Sequence, residues 1–396
     1  MQNNLIELIN KYGSPNILID HWTEKYQGYA IWDFEETVIW DSKGLHHSNQ
    51  TISKPSLNDL QKIFDKWKKN SSDLAAVGFI NYNFKNIIYP HIKFKNFNED
   101  IPYLVFVKPK KIEKYLIKNE EIHIGTDIKL LSDIILKNDY EENIKLIKNE
   151  LEIGNAYQIN FTMPKKYFIG NNPLDYYLKT RNTAKPKYGY FFNLKDFSVL
   201  SFSPELFFEK KCNTISSFPM KGTRPRSNRV KEDNHYKKEL ENATKDRAEH
   251  LMIIDLVRND IGKIADYGSV EVENMFKVER YETVHQMVSK VKGKLSDKIN
   301  EVNIFEALFP GGSVTGAPKE SAMKIIDNLE NYSRDIYTGG IGYITNNGDM
   351  NFNMPIRTMT IRNNEAIYPV GGGIVWDSNY REEWEEAQLK SKILGV

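Results

Sequence analysis

Cysteine is nearly absent from this chain: Cys212 is the only one in 396 residues. No intrachain disulfide can form, and that usage fits a reducing cytoplasm. Charge of one sign is missing too. The 54 Lys and Arg stand against 53 Asp and Glu, so there is no basic field for nucleic acid and no acidic tail. No apolar run reaches the roughly eighteen residues of a membrane span. The start, Met1-Gln2-Asn3-Asn4, has neither the basic nor the apolar part of a secretory signal. What is present, at 40% apolar and 12% aromatic, is ample for a large core.

Residues 1–130 read as mostly strands, as in Gly28–Phe34, Thr37–Trp40, Ala76–Tyr82 and Tyr103–Val107, with one helix spaced on Leu57, Leu60, Ile63, Phe64 and Trp67. That segment carries no catalytic constellation. The chemistry-bearing residues lie in 131–396. Helices are expected from Asp139 to Ile153, from Asp233 to Ile264 and from Arg381 to Leu394, and strands at Tyr188–Phe192 and Val199–Phe202.

The stretch from Phe218 to Arg226 places Lys221 between Met220 and Gly222, with Arg224 and Arg226 close by. It is either a solvated basic loop or a site in which burial and neighbouring cations favour a neutral, nucleophilic amine. Glu205, after a proline and before Leu206-Phe207, is either a solvated carboxylate or a desolvated general acid. Asp246 and Glu249 share one helix face, as do Glu383 and Glu386 on the last helix. Like charges at that spacing repel, so the pairs are either two ordinary charged faces or the two halves of a cation site. Mg²⁺ suits such a site, being content with few carboxylates, several waters and an anionic substrate.

Phe309 to Ala322 is a Gly-rich loop opening a helix, with Pro318 suited to its first turn, but it does not match a phosphate loop. Arg357, expected in an apolar strand, needs an anion, most simply a substrate carboxylate. Gly371-Gly372-Gly373 serves either as an anion nest or as tight strand packing.

Seven stretches together resemble the chorismate-utilising enzymes: anthranilate, aminodeoxychorismate and isochorismate or salicylate synthases. They are Tyr157–Asn160, Ser203–Glu205, Met220–Thr223, Asp246–Glu249 through Asp255–Asp260, Gly316–Lys319, Pro355–Thr358, and Gly371–Gly373 through Glu386. The resemblance implies one large α+β fold of two stacked antiparallel β-sheets with helices outside. Residues 1–130 would complete its core and 131–396 would form the catalytic region. It further implies Mg²⁺ on Glu249 and Glu386 with Asp246 and Glu383 assisting. Chorismate would be held by Tyr337, Arg357, Gly372, Gly373, Thr223 and Thr315. Lys221 would be the nucleophile and Glu205 the acid.

Two positions sort the branches. Water-adding relatives carry a lysine base where this chain has Gln158, and glutamine takes no proton near pH 7. Anthranilate synthases have alanine at the place of Lys221, whereas lysine is typical of aminodeoxychorismate synthases. The Leu-Leu-Glu-Ser element that binds tryptophan in anthranilate synthases is also absent. The family histidine in a Val-x-His-Leu-Val-Ser context is replaced by Gln286, and His285 one residue earlier is expected on the opposite strand face. Cys212, in Lys-Lys-Cys-Asn, is not in a Gly-x-Cys-x-Gly elbow. Ammonia is therefore expected from a separate glutamine amidotransferase subunit, in a heterodimer. Neither nucleic acid nor membrane is expected as a partner.

Overall fold

The computed structural model describes residues 3–22, 27–71, 73–95, 101–118, 128–133, 135–170, 172–281 and 284–395. Sixteen strands matter for the site. They are β1 (Ile17–His21), β2 (Gln27–Asp41), β3 (Leu74–Ile80), β4 (Leu104–Leu116), β5 (Gln158–Ile169), β6 (Tyr188–Asn193), β7 (Ser198–Ser203) and β8 (Leu206–Lys211). The chain continues through β9 (Thr214–Ser217), β10 (Met220–Pro225), β11 (Glu271–Arg280), β12 (Val284–Lys294), β13 (Gly340–Thr345), β14 (Met350–Asn353), β15 (Thr358–Arg362) and β16 (Glu365–Ile374).

These strands form one ladder of antiparallel pairs in the order β5-β16-β15-β7-β6-β1-β2-β4-β3-β13-β14-β8-β9-β12. β10 continues the edge of β12 that β9 occupies, and β11 takes its other edge. The ladder doubles over: Ile19, Tyr190 and Val199 of one half pack with Val77, Phe79 and Ile341 of the other. The Phe79 and Phe192 rings meet edge to face at 6.1 Å. The two stacked sheets are thus the halves of one continuous ladder, passing through the long strands β2 and β4. Their pairing shifts register between Phe34 and Glu36, and a bulge of that kind bends a strand.

Helices cover the outer faces. α1 (Leu57–Lys69) is started by Ser56, whose N–H and hydroxyl both donate to Asp59, and it buries Leu60, Ile63, Phe64 and Trp67. α2 (Lys137–Glu152) buries Tyr140, Ile144 and Ile147. α3 (Pro173–Ala184) begins with proline behind an Asn172 cap. Its Arg181 is fully buried and donates to Asp20 of β1 at 2.8 and 2.9 Å, while the hydroxyls of Tyr115 and Tyr177 donate to the same carboxylate. Removing one partner from a buried pair of this kind costs about 3–5 kcal/mol. It fixes the N-terminal strands to the rest of the core.

Three expectations change. The single helix expected over 233–264 is two, α4 (Val230–Asn242) and α5 (Thr244–Gly262), broken where Ala243 adopts an extended backbone (φ −70°, ψ 102°). The Asn242 side chain bonds back to the Lys238 carbonyl there, the local competition that ends helices. α6 (Glu301–Leu308) leads into the Gly-rich loop, and α7 (Lys319–Leu329) starts one residue after Pro318, which is its N-cap. Arg357 lies outside any strand, in a left-handed turn (φ 52°) just before β15. The last helix, α8, runs Tyr380–Ser391.

Candidate active site

Lys221 owes its direction to a β-bulge. β10 pairs with β12 through Lys221–Met287 and Thr223–Gln286, so Gly222 is the extra residue, with φ +71°. Only glycine fits there. A Cβ would lie 2.8 Å from a Leu240 methyl and 2.9 Å from the Asp246 carboxylate. The break at Ala243 is what lets α4 and α5 both lie against this strand.

The bulge sends the Lys221 ammonium toward Gly373 of β16. Its Nζ and the Gln158 amide nitrogen both lie 3.0 Å from the point that a Gly373 Cβ would occupy. Gln158 is fully buried, and neither its amide nitrogen nor its amide oxygen has a hydrogen-bond partner among the described residues. An amide buried without partners carries a cost of about 1–3 kcal/mol, which a polar ligand in this cradle would relieve. The charge of Lys221 is also felt by Glu205, Glu249, Glu386 and His250, so these groups surround it.

Glu205 follows the last strand residue of β7, in the Ser203-Pro204-Glu205 turn. The Ser203 hydroxyl donates to the Met354 carbonyl at 2.6 Å and accepts the Glu205 N–H at 3.2 Å, which fixes the turn against the segment leading to Arg357. Burial pushes the Glu205 carboxyl from 4.5 up to about 7, against the Ser313 hydroxyl donated to Oε1 at 3.0 Å and the charge of Lys221. A carboxyl so placed is half protonated at neutral pH and can give a proton. Glu205 is thus buried and not solvated.

The arginines near Lys221 have other work. Arg224 donates to Glu239 and Asp246, at 2.8 and 3.0 Å, and Arg226 to Asp233 at 2.7 Å. They fasten α4 and α5 to β10. His285 is fully buried, with Nε2 2.8 Å from the same Asp233 carboxylate.

The Arg357 guanidinium has neither an ion pair nor a hydrogen bond among the described residues, and its charge bears on the buried hydroxyl of Tyr368. Tyr337 is buried, and burial drives its hydroxyl well above its ordinary value. The Glu205 charge adds to that rise. Gly371–Gly373 belong to the ladder, opposite Thr162, Phe161 and Asn160. A Cβ at Gly371 would fall 2.2 Å from the Phe161 carbonyl, so strand packing accounts for that glycine. At Gly372 it would lie 3.3 Å from Glu383 Oε2. Thr315 is buried and donates its hydroxyl to the Gly311 carbonyl at 2.9 Å, whereas Thr223 is exposed.

Among the described residues no three His, Cys, Asp or Glu side chains are gathered closely enough to hold a metal ion as they stand. The four carboxylates nevertheless sense one another. Burial raises Glu249, helped by the charges of Asp246 and Glu386, and it raises Glu383, helped by Glu386 and Glu249. Burial would raise Glu386 as well, but Lys390, 2.9 Å away, with Lys221 and Lys245, outweighs it and leaves that carboxyl below its ordinary value. Asp246 is paired with Arg224, and Glu383 accepts from Ser378 at 2.7 Å. Of the four, the Glu249 carboxylate alone makes no hydrogen bond or ion pair among the described residues. Half-buried carboxylates are the kind of oxygen donor a hard divalent cation takes.

Sequence reasoning missed four supporting side chains. Ser313 tunes Glu205, and Lys390 holds both Glu386 and the Gly371 carbonyl, 2.7 Å away. His250, held neutral at about 4 by burial and by Lys221, donates to or accepts from Ser289 at 2.8 Å. Arg334, buried and paired with Glu330, donates to the carbonyls of Val314 and Asn160 at 2.8 and 2.6 Å, tying the Gly-rich loop to β5. The spacing of Lys390 from Glu386 and the adjacency of His250 to Glu249 were available signals. Nothing local marked Arg334.

A family model described as chorismate binding enzyme matches residues 15–395. The anthranilate synthase component 1 of Saccharolobus solfataricus is 33% identical over 374 residues, 90% of this chain and 88% of that protein. The aminodeoxychorismate synthase component 1 of Salmonella typhimurium is 38% identical over 248 residues, 63% of this chain but only 55% of that protein. The crystal structure of anthranilate synthase component I from Streptococcus pneumoniae TIGR4 superposes with a TM-score of 0.82 at 25% identity, covering 94% of this chain and 93% of that one.

Proposed function

The chain belongs to the chorismate-binding enzyme family, and from that premise we propose that it converts chorismate and ammonia to 4-amino-4-deoxychorismate. Relatives named for that reaction and for anthranilate synthesis match it at similar identity. The observation that carries the choice is Lys221, a nucleophile aimed by its bulge into the cradle of Gln158 and Gly373, with its charge bearing on a half-protonated Glu205.

Lys221, as the free amine, forms a bond from Nζ to ring carbon 2. Both ring double bonds shift by one bond around the ring, the bond from carbon 4 to its hydroxyl breaks, and Glu205 gives the proton with which it leaves as water. Ammonia then bonds to carbon 4 while both double bonds shift back. The carbon 2–Nζ bond breaks with its electron pair returning to Lys221. The new ammonium passes a proton to the Glu205 carboxylate, restoring both groups. Gln158 cannot act as a base for water, which favours amination over hydration.

Arg357 and Tyr337, with the Gly372 and Gly373 backbone, hold the enolpyruvyl carboxylate. Thr223 and Thr315 line the ring. Glu249 and Glu386, assisted by Asp246 and Glu383, would hold Mg²⁺, which supplies positive charge against a dianionic substrate when bound. Cys212 is exposed in the hairpin turn between β8 and β9, not in a strand-to-helix elbow. A glutamine amidotransferase subunit therefore supplies the ammonia, in the cytoplasm that a lone exposed thiol suits.

The test is intact-protein mass spectrometry after incubation with chorismate and Mg²⁺ but no ammonia. A chorismate-derived adduct that maps to Lys221 and disappears in Lys221→Ala supports the reading. Anthranilate and pyruvate as products once ammonium is added would overturn it, and would assign the anthranilate reaction instead.

A further inference from the structure

Beside Glu205 lies a cavity of about 30 Å³, walled by Phe207, Val257, Leu308 and Met354, with Glu205 and Ser313 also on its surface. None of the side chains assigned to the chorismate carboxylates reaches it. A water molecule takes up about 10–15 Å³ of such space, so the cavity admits two or three molecules of that size and no six-membered ring. Its polar atoms are few. The Asp260 oxygens are taken by Lys263 and Lys319, at 2.8 and 2.6 Å. The Ser217 hydroxyl gives its proton to the Phe207 carbonyl at 2.7 Å, which leaves its lone pairs as acceptors.

We propose that this cavity is the binding site of the ammonia that attacks carbon 4, an inference that rests on the amination mechanism above. The amine ends on the carbon whose hydroxyl Glu205 protonates, so a chamber against Glu205 is a chamber against that carbon. The nitrogen lone pair forms the carbon 4 bond as the carbon 2–Nζ pair returns to Lys221. The surplus proton on nitrogen has the Glu205 carboxylate as its nearest base. Apolar walls favour neutral ammonia over ammonium, because an unpaired ion buried there loses its hydration. A compartment apart from the ring contacts holds the nucleophile while chorismate is in place.

Val257→Phe fills the chamber from α5, and Val257→Leu fills it partly should the larger side chain prevent folding. For each, the KM for ammonia, the KM for chorismate and the yield of ammonia-free Lys221 adduct are measured on the purified chain with ammonium salt. The ammonia KM is expected to rise by roughly tenfold in Val257→Phe and less in Val257→Leu, with the chorismate KM and adduct yield within about twofold. An unchanged ammonia KM in a variant that still forms the adduct overturns the placement and leaves the amination intact. Both KM values rising together overturns it as well, since the cavity then belongs to the ring. Anthranilate as the wild-type product overturns the amination at carbon 4 and this placement with it.

Discussion

Burial of Glu205 has a consequence for stability that needs no substrate to measure. Its carboxyl sits at about 7 in the folded chain against an ordinary 4.5. Below pH 4.5 it is neutral in both folded and unfolded chains and contributes nothing pH-dependent. Between 4.5 and 7 the unfolded chain releases this proton while the folded chain keeps it, so stability falls as pH rises. Above 7 the folded chain ionises too and the loss levels off, at roughly 3 kcal/mol. Glu205→Gln keeps the shape and can still accept from Ser313, but it does not titrate. Denaturant unfolding of the two proteins at pH 4.5 and pH 8 isolates the effect, since the other groups are common to both. The variant should match the wild type at the lower pH and exceed it by up to about 3 kcal/mol at the higher. A difference between the two that stays constant across this range would refute the burial argument, and with it the case for Glu205 as a neutral-pH acid.

Glu249→Gln or Glu386→Gln should abolish turnover while the fold survives, as circular dichroism can confirm, and excess chelator should do the same to the wild type. Full activity in chelator would remove the metal from the scheme. Arg357→Ala should mainly raise the KM for chorismate, by an amount matching the loss of a charge-assisted hydrogen bond, about 1.5–3 kcal/mol. A variant that merely unfolds would make Arg357 structural. With glutamine alone the isolated chain should be inactive, and ammonium at alkaline pH should restore product in a direct assay. Activity from glutamine would contradict the argument from Cys212.

Much of the site was legible because its residues lie in short, self-contained stretches. Lys221, Glu205 and the two acidic pairs are each defined by neighbours within a few positions, and helical spacing places Glu383 with Glu386. The aim of Lys221 was not legible, since it depends on a bulge whose register is set by Met287 and Gln286 on another strand. Nor was the true employment of Arg224 and Arg226, because their partners sit on helices that a continuous pattern had joined into one. Arg357 was expected in a strand from its apolar neighbours. The left-handed turn it adopts is imposed by the exit from the Pro355 segment, where the Arg357 carbonyl accepts from Phe202 of β7. The strands themselves were readable one by one, but their order was not: pairing across the ladder is a long-range property that alternation cannot encode.

The continuity of that ladder also governs when the molecule can come into being during synthesis. Ile19 finds its partner in Tyr190, Ile80 in Gly340, and Lys165 in Tyr368. The earliest strands leave the ribosome with one neighbour close behind but long before the strand on their other side exists, and they wait with one edge open. Such distant closures are slow, and exposed edges invite pairing with other chains in the meantime. A nascent chain stalled before β13 has β4 on one edge of β3 and nothing to lay against the other, so it should be a client for holding chaperones until its last third has been made.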